Sequence, residues 1–232
     1  QFANASRPTA GVYDNGTESE LNVLYKALDD SIGYIFYNSK DGYGNSTFLN
    51  SDDAQNLNKM SVDRQFRNIA YSLTGTLQGN IALQNLSDKS FEFIHPTTPS
   101  FTKDDSGVPV ELIDVVEFDP TGRFLAFDYL TSSLDGGTYW SIGILELDTG
   151  FINYPFAKLP SNISVGNPVF SNVNSDIIIF DALFEDTGES AAFSLNLNNG
   201  DISGIANTDF IDSGTHLAYP SFTQNDNAIV FN

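Results

Sequence analysis

The sequence predicts an all-β chain folded as a β-propeller of five blades, each a three- or four-stranded antiparallel sheet. Three observations predict it. A four-residue strand signature recurs five times, a polar turn precedes every copy, and an alternating strand ending in another polar turn follows several of them. Helix signals are thin: Glu18 to Leu28, the best candidate, reads equally well as the entrance to a strand. Hydrophobic residues at 41%, with 19 Phe and 10 Tyr, supply a core suited to pleated sheets and exclude a disordered chain.

The signature is apolar, apolar, aromatic, polar. It reads Ile35-Phe36-Tyr37-Asn38, Ile69-Ala70-Tyr71-Ser72, Leu125-Ala126-Phe127-Asp128, Ile178-Ile179-Phe180-Asp181 and Ile229-Val230-Phe231-Asn232. The turns ahead of these copies, such as Asp119-Pro120-Thr121-Gly122-Arg123 and Asn172-Val173-Asn174-Ser175, carry Asx residues that cap their own turns and Gly or Asn that accept positive φ. An apolar run before each turn, for example Val115 to Phe118, completes a hairpin. Behind the signature, Ser141 to Leu147 and Ala192 to Leu197 alternate at the period of a strand.

A small meander cannot bury both of its faces alone, so stacking around an axis is the physical solution. The repeat divides the single domain into units at 21–58, 59–111, 112–160, 161–212 and 213–232, the last completed by 1–20. On that division Gly11 to Asp14 pair with Ala228 to Asn232 and seal the ring, and the five signature aromatics occupy equivalent buried places on second strands.

The third copy carries a resemblance. Asp119-Pro120-Thr121-Gly122-Arg123-Phe124-Leu125-Ala126-Phe127 resembles the Ser-Pro-Asp-Gly-x-x-Ile-Ala-Phe core of TolB-like, WD-like propeller repeats, and the later Gly loop and Ile-x-x-Leu-x-Leu-x-x-Gly strand fit as well. The likeness extends over about residues 20–232, good in the third copy and degenerate elsewhere. It implies an extracytoplasmic protein (periplasmic, cell-surface or secreted), or a propeller attached to a peptidase or transport complex.

Thirty acidic against ten basic residues leave a formal charge of −20, which repels phosphate backbones and excludes nucleic acid and anionic membranes as natural partners. No Lys or Arg follows Lys158, while nine carboxylates do. A solvated surface explains this, and a basic or cation-bridged partner is the sharper reading. No apolar stretch is long enough to span a bilayer. With no cysteine, disulfides, zinc thiolates and cysteine nucleophiles are absent. Five Asn-x-Ser/Thr triplets are about what chance placement gives.

Catalytic constellations are poorly supported. His95 and His216 are the only histidines, neither has a metal-ligand companion at close spacing, and no Gly-x-Ser-x-Gly elbow exists. A carbohydrate-active hydrolase of the five-bladed type needs acids from several inner strands. The inner positions here are Lys26, Lys59, Asp114 with Glu117, Asn167 and Tyr219, and Asp114 and Glu117, three apart in a strand, are expected on opposite faces. No cofactor is called for, with calcium the one candidate: Asp41, Asn45, Glu185 and Asp186 place oxygens in tight turns, without the twelve-residue calcium-loop spacing. Candidate binding residues are Asp114 and Glu117, Tyr43 in a Gly-rich loop, and Tyr139-Trp140 beside another, the last pair also readable as core. The expected function is a non-catalytic binding or scaffolding module for a protein or polysaccharide, with the hydrolase and the accessory propeller as alternatives.

Overall fold

The computed structural model describes residues 6–14, 19–26, 32–38, 42–49, 56–97, 110–132, 137–157, 159–160, 162–207, 218–223 and 225–231; in the first four ranges and at 206–207 the description is of the backbone, Ile32 and Gly42 excepted. Four four-stranded sheets follow one another, each in sequence order and antiparallel throughout. The first is β1 (Ser6–Asp14), β2 (Ser19–Lys26), β3 (Ile32–Asn38) and β4 (Gly42–Leu49). The second is β5 (Leu57–Val62), β6 (Asn68–Leu73), β7 (Ile81–Asn85) and β8 (Phe91–Ile94). The third is β9 (Leu112–Phe118), β10 (Phe124–Ser132), β11 (Thr138–Glu146) and β12 (Ile152–Asn153). The fourth is β13 (Ile163–Phe170), β14 (Ile177–Phe184), β15 (Glu189–Asn196) and β16 (Ile202–Asn207). A fifth, two-stranded sheet is β17 (Ser221–Phe222) with β18 (Ile229–Val230). First strands stand side by side, β1 by β5, β5 by β9 and β9 by β13, as blades do around an axis. Among the described residues there is no α-helix, only a 3₁₀ turn at Gly75–Leu77.

The expected ring closure does not occur. Gly11 pairs with Asn22, Val12 with Leu21 and Asp14 with Ser19, so β1 opens the first sheet instead of completing the last. β18 pairs with β17, Ser221 opposite Val230. The reason is chain entropy: joining two neighbouring strands closes a far shorter loop than joining the ends of the chain. Among the described residues, no strand of the first sheet pairs with the fifth.

The first signature copy was also misplaced. Ile35 to Asn38 lie on β3, a third strand, and the second strand β2 carries Val23-Leu24-Tyr25-Lys26, which has the same apolar, apolar, aromatic, polar order. Tyr37 is therefore not equivalent to the other aromatics. The segment Glu18 to Leu28 resolves as a strand over 19–26.

Tyr71, Phe127 and Phe180 occupy equivalent places on β6, β10 and β14 and are buried, at 0%, 0% and 2% exposure. Phe231, beyond β18, is half-buried. The signature works because both faces of a second strand are covered. Its first and third residues face the preceding blade: Ile69 and Tyr71 pack in one cluster with Ile32, Leu125 and Phe127 with Ala70 and Ile81. Its second residue faces the following blade, as Ala126 does against Val165 and Phe180. Phe127 lies over Gly143 on the neighbouring strand, and a Cβ there would stand 2.3 Å from its Cζ.

The turns are capped as their composition predicts. Asp119 Oδ1 accepts the Arg123 and Phe124 N–H groups at 2.8 Å each, and its Oδ2 accepts Thr121 N–H at 3.0 Å. Gly122 takes φ +72°. The same Oδ2 also accepts Ser175 Oγ–H from the next blade at 2.6 Å, so the turn cap is at once a link between blades.

Candidate binding cleft

The fourth, polar residue of the signature points towards the following blade and meets its inner strand. The inner strands β5, β9 and β13 bulge beside these residues. On β9 the register slips between Ile113, opposite Tyr129, and Val116, opposite Phe127. Similar slips lie between Leu57 and Met60 on β5 and between Gly166 and Val169 on β13. A bulge leaves main-chain N–H groups without ladder partners, and the signature residue accepts them.

Three such clamps follow one another. Ser72 Oγ accepts Lys59 N–H at 3.1 Å and donates to the Asp114 carbonyl of the next blade at 2.9 Å. Asp128 Oδ1 accepts the N–H groups of Val115 at 2.7 Å and Asp114 at 3.2 Å, and its Oδ2 accepts Asn167 N–H from the next blade at 3.1 Å. Asp181 Oδ2 accepts Tyr219 N–H from the fifth sheet at 3.0 Å, and the Asn167 amide donates to both its oxygens at 2.9 and 3.1 Å. Asn167 and Tyr219 hold φ of +51° and +52°, which turns their N–H groups back towards the clamps.

The last two clamps floor a cleft of about 290 Å³ lined by Asp114, Asp128, Ser164, Gly166, Asn167 and Asp181, with Trp140, Val165, Leu183 and Tyr219 as its apolar and aromatic members. Burial pushes the Asp128 carboxyl up to about 6; the Val115 and Asn167 N–H groups restrain that rise and the Asp114 charge adds to it. Burial raises Asp181 as well, against the pull of its Tyr219 and Asn167 bonds. Asp114 is paired with Lys59, Nζ to Oδ1 at 3.4 Å. Trp140 is half-buried, and its main-chain N–H donates to Ser164 Oγ at 3.3 Å, which in turn donates to Glu185 at 3.1 Å.

Of the residues singled out from sequence, the cleft gathers Asp114 and Trp140. The expected opposition of Asp114 and Glu117 does not hold, because the bulge between them breaks the alternation on which it rested. Across that bulge both side chains reach β5, Asp114 to Lys59 and Glu117 to Ser61, and Asp114 also lines the cleft with Asp128. Glu117 is turned to Ser61 of β5, where burial pushes it up to about 7 against that hydrogen bond, and it is not part of the cleft. Tyr139 is buried at 6% exposure. Lys26 ends a second strand, not an inner one. Tyr43 and Asn45 lie on β4, with Asp41 and His216 outside the described residues. Glu185 holds Ser164, and Asp186 accepts the Asn162 amide at 2.5 Å, each a turn contact; among the described residues no three His, Asp or Glu side chains are grouped to hold a metal. His95 is exposed, with Nδ1 2.6 Å from Asn80 Oδ1.

Asp128 and Asp181 were missed as site residues. The signal was in the signature itself: its fourth position is polar in every copy and acidic in only these two. What a polar residue does there depends on a bulge in another strand.

No family model matches the chain, and no curated protein matches it in sequence. Solved structures do. TolB from Acinetobacter baumannii superposes with a TM-score of 0.56 at 13% identity, over 97% of this chain and 47% of that one. The fold is that of a TolB-like β-propeller. An oligogalacturonate lyase in complex with manganese shares the TolB-like propeller fold at a TM-score of 0.60 and 15% identity, over 98% of this chain and 61% of that one. A chain of a nidogen/laminin complex does so at 0.51 and 13%, over 83% and 63%. The chain thus spans less than two thirds of the length of each of these proteins.

Proposed function

We propose that the chain is a non-catalytic binding or scaffolding module that recognises its partner at the cleft between the third and fourth blades. One observation carries this reading. Two carboxylates of the cleft tie its walls together: Asp128 accepts main-chain N–H groups from two blades, and Asp181 accepts the Tyr219 N–H and the Asn167 side-chain amide, so they hold the walls of the cleft in place. The walls in between present half-exposed aromatic and aliphatic surface on a preformed frame, which lowers the ordering cost of recognition.

TolB, the lyase and a propeller in a nidogen/laminin complex share the fold, which makes protein and polysaccharide the two partner classes to test. An extracytoplasmic location belongs to the same reading, and among the described residues no helix is long and apolar enough to cross a membrane. The test is a pull-down from the native envelope or medium, run beside a screen of polysaccharide substrates. Recovery of a protein or glycan released by blocking the cleft supports the module. Turnover of a polysaccharide that is abolished by Asp114→Asn overturns it in favour of a hydrolase or lyase.

A further inference from the structure

The cleft has a chemistry more specific than its shape. No Lys or Arg is among its lining residues, while three carboxylates are, one of which, Asp114, is paired with Lys59 from outside the lining at 3.4 Å. Two of these stand where the preceding junction has the neutral Ser72: the next strand offers Ser72 a carbonyl, and it offers Asp128 and Asp181 N–H groups, so these junctions bring negative charge to the cleft with their acceptors. Between the two acids stands Gly166, where a Cβ would lie 3.2 Å from Asp128 Oδ2 and 3.8 Å from Asp181 Oδ1. The missing side chain leaves room between carboxylates of adjacent blades. The same lining includes the half-buried Trp140, Leu183 at 40% exposure and Tyr219 at 43%.

Apolar and aromatic side chains and carboxylates in one lining match a long aliphatic stem ending in a cation. We propose that the cleft takes a lysine or arginine side chain from an exposed basic segment of a partner protein. The inference rests on the binding reading above and names its ligand. The stem packs against Leu183 and the Trp140 ring, and the cationic head enters towards Asp114, Asp128 and Asp181. At about 290 Å³ the cleft suits one side chain rather than a folded surface, so the partner's contribution is a protruding residue. The chain's charge of −20 draws such a segment in from solution.

Trp140 is the only tryptophan in the chain, so its fluorescence reports on this cleft alone. The probes are a blocked heptapeptide, Gly-Ser-Gly-Lys-Gly-Ser-Gly, its arginine and norleucine counterparts, calcium chloride and cellohexaose. Saturable change in Trp140 emission is expected with the lysine and arginine peptides, with the norleucine peptide at least about tenfold weaker. Raising salt from about 50 to about 500 mM should weaken the basic peptides and not the norleucine one. Asp114→Asn should weaken basic-peptide binding several-fold and still fold, because the Asp114 main chain, not its side chain, joins the clamps. Gly166→Ala should weaken it with no change of charge. Equal binding of the norleucine peptide, or a response in both variants like that of the wild type, overturns the proposal. So does a response to calcium alone. A response to cellohexaose in place of the basic peptides overturns the cationic ligand and leaves the binding module standing, whereas turnover of cellohexaose overturns both.

Discussion

The junction between the second and third blades and the junction between the third and fourth solve one problem with different chemistry. In both, the last residue of the strand signature reaches across to the next inner strand and satisfies main-chain groups freed by a bulge. At the first junction the residue is Ser72, making one bond in each direction. At the second it is Asp128, accepting three N–H groups while buried at 4% exposure. The two clamps differ in what they meet. Ser72 answers one N–H and one carbonyl, so a hydroxyl that both accepts and donates serves there. Asp128 meets N–H groups alone, from Asp114, Val115 and Asn167, and an acceptor-only carboxylate answers all three. The charge that comes with this acceptor lies on the lining of the cleft.

The largest effect should be shared by both junctions, since each packs an aromatic of the signature between blades. Phe127→Ala and Phe180→Ala should each destabilise the chain by about 3 to 5 kcal/mol in denaturant unfolding, by transfer and cavity terms together. A cost below about 1 kcal/mol at either would falsify the inter-blade core there.

The next effect should separate the junctions. The Asp128 carboxyl is raised from its ordinary 3.8 to about 6 in the folded chain. A group raised on folding contributes stability that is fully present below its unfolded value and is lost as pH rises through the folded one. On this account stability falls by on the order of 2 kcal/mol between about pH 4 and 7. Glu117, raised to about 7, extends the decline in the same direction. In thermal melts across that range, Asp128→Asn should flatten the slope whatever its cost at one pH, and Ser72→Ala should leave the slope unchanged. Parallel slopes for Asp128→Asn and the wild type would show that the Asp128 carboxyl does not titrate in this window.

Two glycines sharpen the comparison within the sheets. Gly143→Ala places its Cβ against the buried Phe127 ring and should cost about 1 to 3 kcal/mol through overpacking. Gly204→Ala, on the exposed β16 with Phe193 4.0 Å away, should change stability by less than about 0.5 kcal/mol. Equal effects of the two would mean that Phe127 yields more readily than its packing suggests. Ser72→Ala removes one donor and one acceptor and should cost about 1 kcal/mol in the same unfolding measurement, between the two glycine variants.

What the sequence determined by itself was everything that repeats and is local. The signature, the Asx turns and the alternating third strands specify a blade through periodicity and turn chemistry, which act over a few residues, and the second to fourth copies stand on second strands as read. The first copy failed because its pattern occurs twice in one meander, on β2 and on β3, and a short motif cannot say which strand it is on. Trp140 and Asp114 were legible as candidates because an isolated aromatic beside a Gly loop and an acid on an inner strand stand out locally. The tertiary structure alone decided the rest. Strand pairing placed β1 in the first sheet because a short hairpin loop closes at lower entropic cost than the whole chain. Bulges on β9 and β13 brought Asp114, Asp128 and Asp181 to one cleft by breaking the alternation from which a side chain's face is read. A bulge answers to the main-chain groups of two blades at once, and no stretch of a single strand records it.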